Sequence, residues 1–294
     1  MPTVTIDDVR EHDPDLLLPP DEEFAGEYES RVQAGKEAAA SMRVCLTAIC
    51  RNAMPWLPLT MARVAATASA FREAKVFIFE NDSNDGTAEF LKQAAAENEW
   101  LSVVSTTNGR PHLNFTKAAE RTIALAEYRN ACRDWVREHA NDFDITIVFD
   151  TDPWGGWSID GVMNTVGHLV DPAYANAAGM AAYSWCEWGP PHWFRREACQ
   201  YDAFACRWTW WREHLDMRWF HLWHPPVGSP PVRVNSAFGQ IAVYRTENYL
   251  LGEYKGGDCE HVSHWQTCGG ECYLNPSQRV VSFWLPRDDE EKPD

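Results

Sequence analysis

Four short apolar runs, separated by stretches of helical spacing, leave this chain few folds to choose from. Arg43–Cys50 (RVCLTAIC), Lys75–Phe79 (KVFIF), Leu101–Ser105 and Asp144–Phe149 (DITIVF) are apolar almost throughout. Strands of that kind are buried on both faces, as in parallel sheets. Between them, Pro55–Arg72 has helical spacing and an N-terminal proline pair, Thr87–Asn98 follows a turn, and Thr116–Ala140 carries Leu125, Tyr128, Cys132 and Trp135 on one stripe. The alternation predicts an α/β fold: one Rossmann-like domain with a mostly parallel central sheet flanked by helices. Such sheets bind ligands in the crevice beyond the carboxyl ends of their strands, so the polar residues after each strand are the first candidates for a site.

Composition narrows the partners. The net charge of −17 argues against nucleic acid or an anionic membrane as the main partner. Much of that charge is terminal: residues 1–30 hold ten acids against Arg10, and residues 287–294 hold five against two bases. The expected organisation is an acidic arm over residues 1–40 with one helix near Glu27–Ala40, a domain over 41–286, and an acidic tail over 287–294. Within the domain, 41–152 reads as a nucleotide half and 153–286 as an irregular acceptor half. With ten acids and few apolar residues, residues 1–30 cannot build much core, and deleting them is expected to leave catalysis largely intact. No apolar run is long enough to span a membrane, no signal-peptide pattern opens the chain, and the nine cysteines suit reduced thiols. A cytoplasmic location is therefore expected.

Two acidic clusters stand at predicted strand ends. Glu80–Thr87 (ENDSNDGT) follows KVFIF; its Ser83 and Asp85 can cap the next helix, but capping leaves Glu80, Asn81 and Asp82 unexplained. Asp150–Thr151–Asp152 follows DITIVF, where two carboxylates one residue apart can share Mg²⁺ or Mn²⁺ and bridge a diphosphate. The plainer reading of Asp152 is a turn residue before Pro153. Between the clusters, Leu125–Asn130 (LAEYRN) places Arg129 either in a local pair with Glu127 or Asp134 or beside a phosphate.

Further along, Gly256–His264 (GGDCEHVSH) offers Asp258 and Glu260 as proton acceptors and His261 and His264 as metal ligands, or else an ordinary polar helix face. Val234–Tyr244 (VNSAFGQIAVY) reads as a strand or turn under an acceptor site, its small residues allowing close approach. Twelve of the fifteen tryptophans fall in the second half, from Trp154 to Trp284, with His214, His221 and His224 among them. Trp185 and a few others could stack on sugar rings, while most are expected in the core.

Taken in order, strand–ENDSNDGT–helix, the LAEYRN helix and strand–DTD resemble a glycosyltransferase of the GT-A fold. The octet is similar to the D-D-x-S-x-D-G-T of family 2 enzymes. The set also resembles the fungal capsule-associated α-1,3-mannosyltransferase family, which adds a Y-D-x-x-x-x-R stretch, here Tyr201–Asp202 to Arg207. Trp265–Gly270 and Pro276–Val280 resemble the closing segment of polypeptide N-acetylgalactosaminyltransferases. The resemblance implies a donor site at Arg51, Glu80, Asp82, Arg129 and Asp150, and a Mn²⁺ or Mg²⁺ site at Asp150, Asp152 and His261 or His264. Catalysis would fall to Glu260 or Asp258, and the acceptor to Trp185, Tyr201, Asp202 and Asn235. The implied activity is transfer of a sugar from a UDP- or GDP-linked donor to a hydroxyl acceptor such as a glycan. A nucleotidyltransferase would want a glycine-rich phosphate loop after the first strand, which TAICRNAMPWL lacks. A non-catalytic carbohydrate-binding protein would leave both acidic clusters without a purpose.

Overall fold

The computed structural model describes residues 13–113, 118–153, 156–188, 197–210 and 223–283. After a single turn at Pro14–Leu17 come α1 (Ala25–Ala39), β1 (Arg43–Cys50), α2 (Leu57–Ala68), β2 (Glu73–Asn81), α3 (Thr87–Glu97), β3 (Leu101–Thr106), α4 (Ala119–His139) and β4 (Ile145–Asp150). The second half holds β5 (Gly156–Trp157), α5 (Ile159–Leu169), β6 (Ala177–Trp188), β7 (Glu197–Gln200), β8 (Val232–Val234), β9 (Ile241–Arg245), α6 (Thr246–Leu251), α7 (Glu260–Thr267) and β10 (Glu271–Phe283). One sheet runs in the order β3-β2-β1-β4-β9-β6-β10-β5, with β7 on β6 and β8 on β10. Strands β3, β2, β1 and β4 are mutually parallel, as are β6 and β10, while β9 lies antiparallel between β4 and β6. The expected mixed α/β domain with a mostly parallel sheet is what forms.

The alternation of the strands sorts the core. Val44, Leu46 and Ala48 of β1 face α2 and α5, packing with Leu57, Val64, Val162 and Val166, whereas Cys45 faces the layer of Ala126, Val136, Tyr244 and Trp265. The second half is more regular than its sequence suggests. Helix α5 is buried on every side, so it lacks the polar face by which a surface helix is read. Strand β6 opens with AAGMAA, small residues that mark no strand on their own. Val234–Tyr244 is not one strand: β8 ends at Val234 and β9 starts at Ile241. Gly239 and Gln240 between them take positive φ angles of 62° and 64°, and a Cβ on Gly239 would lie 2.1 Å from the Ala182 carbonyl oxygen. The eight described cysteines are free and buried. Among the described residues, no helix is long and apolar enough to cross a membrane.

The N-terminal segment corrects the expectation of a dispensable arm. From Asp13 onward it belongs to the domain. Helix α1 buries Tyr28, Val32, Gly35 and Ala39 and crosses α5 backbone to backbone. A Cβ on Gly35 would fall 1.7 Å from the Met163 carbonyl oxygen, and one on Gly167 would fall 2.1 Å from that of Arg31. Arg279 of β10, fully buried, donates to Asp15 Oδ1 at 2.8 Å, to Ser158 Oγ at 3.0 Å, to the Leu18 carbonyl and to the Tyr28 hydroxyl. Three of those four partners precede residue 31. The acids of this segment hid its role, because Asp15 is spent on a buried cation rather than on solvent.

Deleting residues 1–30 therefore strands a buried guanidinium, and breaking such a pair costs about 3–5 kcal/mol. Calorimetric melting should show a large loss of Tm, and Gly167→Leu should lower it independently by forcing α1 and α5 apart. A deletion variant melting with the full-length chain would show that the clamp contributes nothing.

Candidate active site

The carboxyl ends of β1, β2 and β4 open into a cleft of about 860 Å³, closed by the loop after β3, α4, the 201–205 loop and the start of α7. Arg129 organises it. The buried residues of α4 are Thr122, Ala126, Tyr128, Arg129, Cys132 and Val136, which keep Tyr128 and Cys132 of the expected stripe but not Leu125 and Trp135, so this arginine points inward. Its Nε donates to Glu260 Oε1 at 3.1 Å, and one terminal nitrogen donates to Asp150 Oδ1 at 2.8 Å. The guanidinium carbon sits 4.8 Å from the ring centre of Phe238, a cation–π contact. A desolvated cation requires this pairing, and both carboxylates gain a fixed direction from it. Neither Glu127 nor Asp134, the expected local partners, receives it: Glu127 pairs with Arg110, and Asp134 with Arg133 and Arg137.

Glu260 opens α7, is 4% exposed, and faces Asp150 across Arg129. Burial raises the Asp150 carboxyl to about 7; Arg129 opposes the rise and Asp152 adds to it. Asp152 stays exposed in the cleft. Tyr201 and Asp202 also line the cleft. Asp202 accepts the N–H groups of Gly239 at 2.8 Å and Ala205 at 3.3 Å, and burial raises its pKa against those bonds. The positive φ at Gly239 is what turns that N–H toward Asp202, and the same tight turn sets Phe238 and Gln240 in the cleft lining.

Other expected site residues are engaged elsewhere. Glu80 is 1% exposed, and its carboxylate accepts the Ser83 N–H at 3.0 Å and the Ser105 hydroxyl. Asp82 Oδ1 accepts the N–H groups of Asn108 and Gly109, and its Oδ2 accepts from Asn81, which together hold its pKa low. Both acids brace the turn and the loop after β3, while Asn81 between them lines the cleft. Arg51 lines the cleft too, donating to the Arg110 and Pro111 carbonyls. Asp258 does not cap α7, whose N-cap is Cys259; it takes Arg207 through two 3.0 Å bonds. That pair ties the Y-D-x-x-x-x-R stretch to the turn preceding Glu260. Trp185 and Asn235 lie off the cleft: Trp185 packs on Tyr183 and His224, and the Asn235 N–H donates to the Arg207 carbonyl. No tryptophan lines the cleft among the described residues. Trp193, Trp211, Trp219, His214, His221 and residues 287–294 lie outside them, as does the side chain of Trp188.

The two histidines part company. His261 lines the cleft floor, stacked on Phe238 at 3.7 Å, with its Nε2 3.4 Å from Glu260 Oε1. His264 is fully buried away from the cleft, stacked on Tyr254 at 4.3 Å, its Nε2 3.1 Å from the Tyr249 carbonyl. It is a core residue rather than a metal ligand. No three His, Cys, Asp or Glu side chains form a metal cage among the described residues. Asp150 and Asp152 instead suit the mode in which Mg²⁺ or Mn²⁺ takes one or two carboxylates and fills its shell with phosphate oxygens and water. Sequence reasoning missed Arg121, Tyr128, Phe238 and Gln240 among the lining residues. Arg121 lay on a helix already known to enter the crevice, a signal that could have found it.

No protein-family model matches the chain, and no curated protein matches it. Solved structures do. GalNAc-T7 with UDP, GalNAc and Mn²⁺ superposes with a TM-score of 0.52 at 11% identity, covering 90% of this chain and 53% of that one. The mannosyltransferase PcManGT from Pyrobaculum calidifontis, in complex with GDP-Man and Mn²⁺, gives 0.46 at 13% identity, covering 91% and 67%. S. aureus TarS in complex with UDP-GlcNAc gives 0.46 at 11%, covering 85% and 60%. The chain thus spans about half the length of GalNAc-T7 and shares the GT-A fold with it.

Burial lowers the pKa of His264 from 6.5 to about 3 and shifts His261 the same way. Below pH 6.5 the unfolded chain binds protons that the folded one refuses, so stability is present above that pH and is lost as pH falls toward 3. For His264 the full loss is on the order of 5 kcal/mol. Urea melts between pH 7.5 and 4.5 should show this fall, and His264→Gln should make it shallower. An unchanged slope in that variant would mean His264 is protonated in the fold.

Proposed function

We propose that this chain is a glycosyltransferase that moves a sugar from a nucleoside-diphosphate donor to a hydroxyl acceptor. One observation carries the reading: Arg129 bonds both Glu260 and Asp150 within one cleft, at the strand ends where a sheet of this kind binds ligands. Asp150 and Asp152 form the donor side. A divalent ion held there would supply positive charge to a departing diphosphate. Asp202, with Tyr201 beside it, lines the same cleft and suits hydroxyl recognition, since its backbone bonds fix the carboxylate in place.

Glu260 is the candidate catalytic carboxylate. Arg129 binds its Oε1, while Oε2 is met by the Cys259 thiol at 3.9 Å. A hydroxyl entering the cleft could give its proton to that oxygen; a carboxylate beside the anomeric centre would serve a retaining transfer equally well. The GalNAc-T7 structure carries UDP and Mn²⁺, which supports testing a uridine donor first. The likeness of ENDSNDGT, LAEYRN and the Tyr201–Arg207 stretch to capsule mannosyltransferases supports GDP-mannose as the next.

The test is release of free nucleoside diphosphate when the protein meets Mn²⁺, a panel of UDP- and GDP-sugars, and a glycan acceptor. Glu260→Gln keeps shape and removes basicity; it should lower turnover by ~10²-fold or more while leaving nucleotide binding nearly intact. Asp152→Ala should abolish transfer without loss of Tm. Near-normal activity in Asp152→Ala would move the donor site elsewhere, and weakened nucleotide binding with normal saturating turnover in Glu260→Gln would move Glu260 to the donor side.

A further inference from the structure

We propose that Arg121 is the residue that grips the diphosphate of the bound nucleotide, an assignment that rests on the donor reading above. The argument is an accounting of cations. Four arginines line the cleft: Arg51, Arg110, Arg121 and Arg129. Arg51 is bonded to two carbonyl oxygens of the loop after β3. Arg110 pairs with Glu127 at 2.5 Å and lies over the Tyr128 ring at 5.4 Å. Arg129 is committed to Asp150 and Glu260. Among the described residues, Arg121 is the one arginine of the cleft whose side chain makes no hydrogen bond or ion pair.

The surroundings make that vacancy consequential. Six acids line the same cleft, namely Glu120, Glu127, Asp150, Asp152, Asp202 and Glu260, so an anionic ligand meets a repulsive field unless a free cation compensates it. Arg121 stands eight residues before Arg129 on α4, about 12 Å along the helix axis. It acts on Asp152 and Tyr201 through its charge while bonding to neither. A half-buried guanidinium held near the exposed Asp152 carboxylate, but not paired with it, leaves its donors open to an incoming ligand. A planar fork of donors matches two phosphate oxygens at once, and a carboxylate or a neutral side chain at this position would not.

Calorimetric titration with UDP, GDP, UMP, GMP and inorganic pyrophosphate tests this, run once with Mn²⁺ and once with a chelator so that any contribution of the ion drops out. The wild-type chain should prefer the diphosphates over the monophosphates in both conditions. Arg121→Ala should weaken diphosphate and pyrophosphate binding by about 10- to 100-fold, leave monophosphate binding unchanged, and melt like the wild type. Arg121→Lys should recover part of the loss, since it restores charge without the fork. Equal diphosphate affinity in wild type and Arg121→Ala overturns the assignment and leaves the donor reading standing, as does equal loss for monophosphate and diphosphate. Pyrophosphate binding that depends on Arg121, in a chain that binds neither UDP nor GDP, keeps the anion site and sinks the nucleotide donor.

Discussion

A buried guanidinium holds the working part of this protein together. Arg129 comes from a helix, Asp150 from a strand end, Phe238 from a tight turn and Glu260 from the start of another helix more than a hundred residues away. Desolvating a cation is so unfavourable that its partners must be present together, with good geometry, for the fold to tolerate it. The same demand that stabilises the cleft also aims its two principal carboxylates. Removing any one partner would leave the others with unmatched charge, so the site is specified as a unit.

Around that centre the protein spends most of its polar groups on itself. Glu80 and Asp82 brace a loop, Asp258 and Arg207 lock the turn before Glu260, and Asp202 is held by two backbone N–H groups. What stays turned to the cleft is a short set: Asp152, the Arg121 guanidinium and Oε2 of Glu260, which meets only the Cys259 thiol at 3.9 Å among the described residues. Chemistry concentrates where bonding capacity is left over, and a cleft that is otherwise saturated directs a ligand to those few atoms.

A second buried arginine performs a related task far from the cleft. Arg279 collects Asp15, the Leu18 carbonyl, Tyr28 and Ser158, and so staples the start of the described chain onto the last strand. Helix α1 then packs on α5 through paired glycines, closing one face of the sheet. Read as sequence, this region is acidic and poor in apolar residues. Its contribution arises from one ion pair and one backbone contact, neither of which local composition reveals.

The first four strands, the helices between them and the acidic turns after β2 and β4 were all legible in the sequence. Each is a local pattern: uninterrupted apolar runs mark strands covered on both faces, and 3.6-residue spacing marks their helices. The second half was not legible to the same degree, because α5 is covered on every side and β6 opens with small residues, so burial erases the periodicity that would name them. The site followed the same division. Sequence alone determined which acids stand at the strand ends and that Arg129 and Glu260 were candidates, since the fold's topology makes every parallel strand end a place for function. Only the tertiary structure decided that Glu80, Asp82, Asp258 and His264 are occupied within the protein while Asp152, Arg121 and Glu260 keep atoms free. The physical reason is that a side chain's availability depends on partners brought from distant segments, and spacing along the chain carries no record of them.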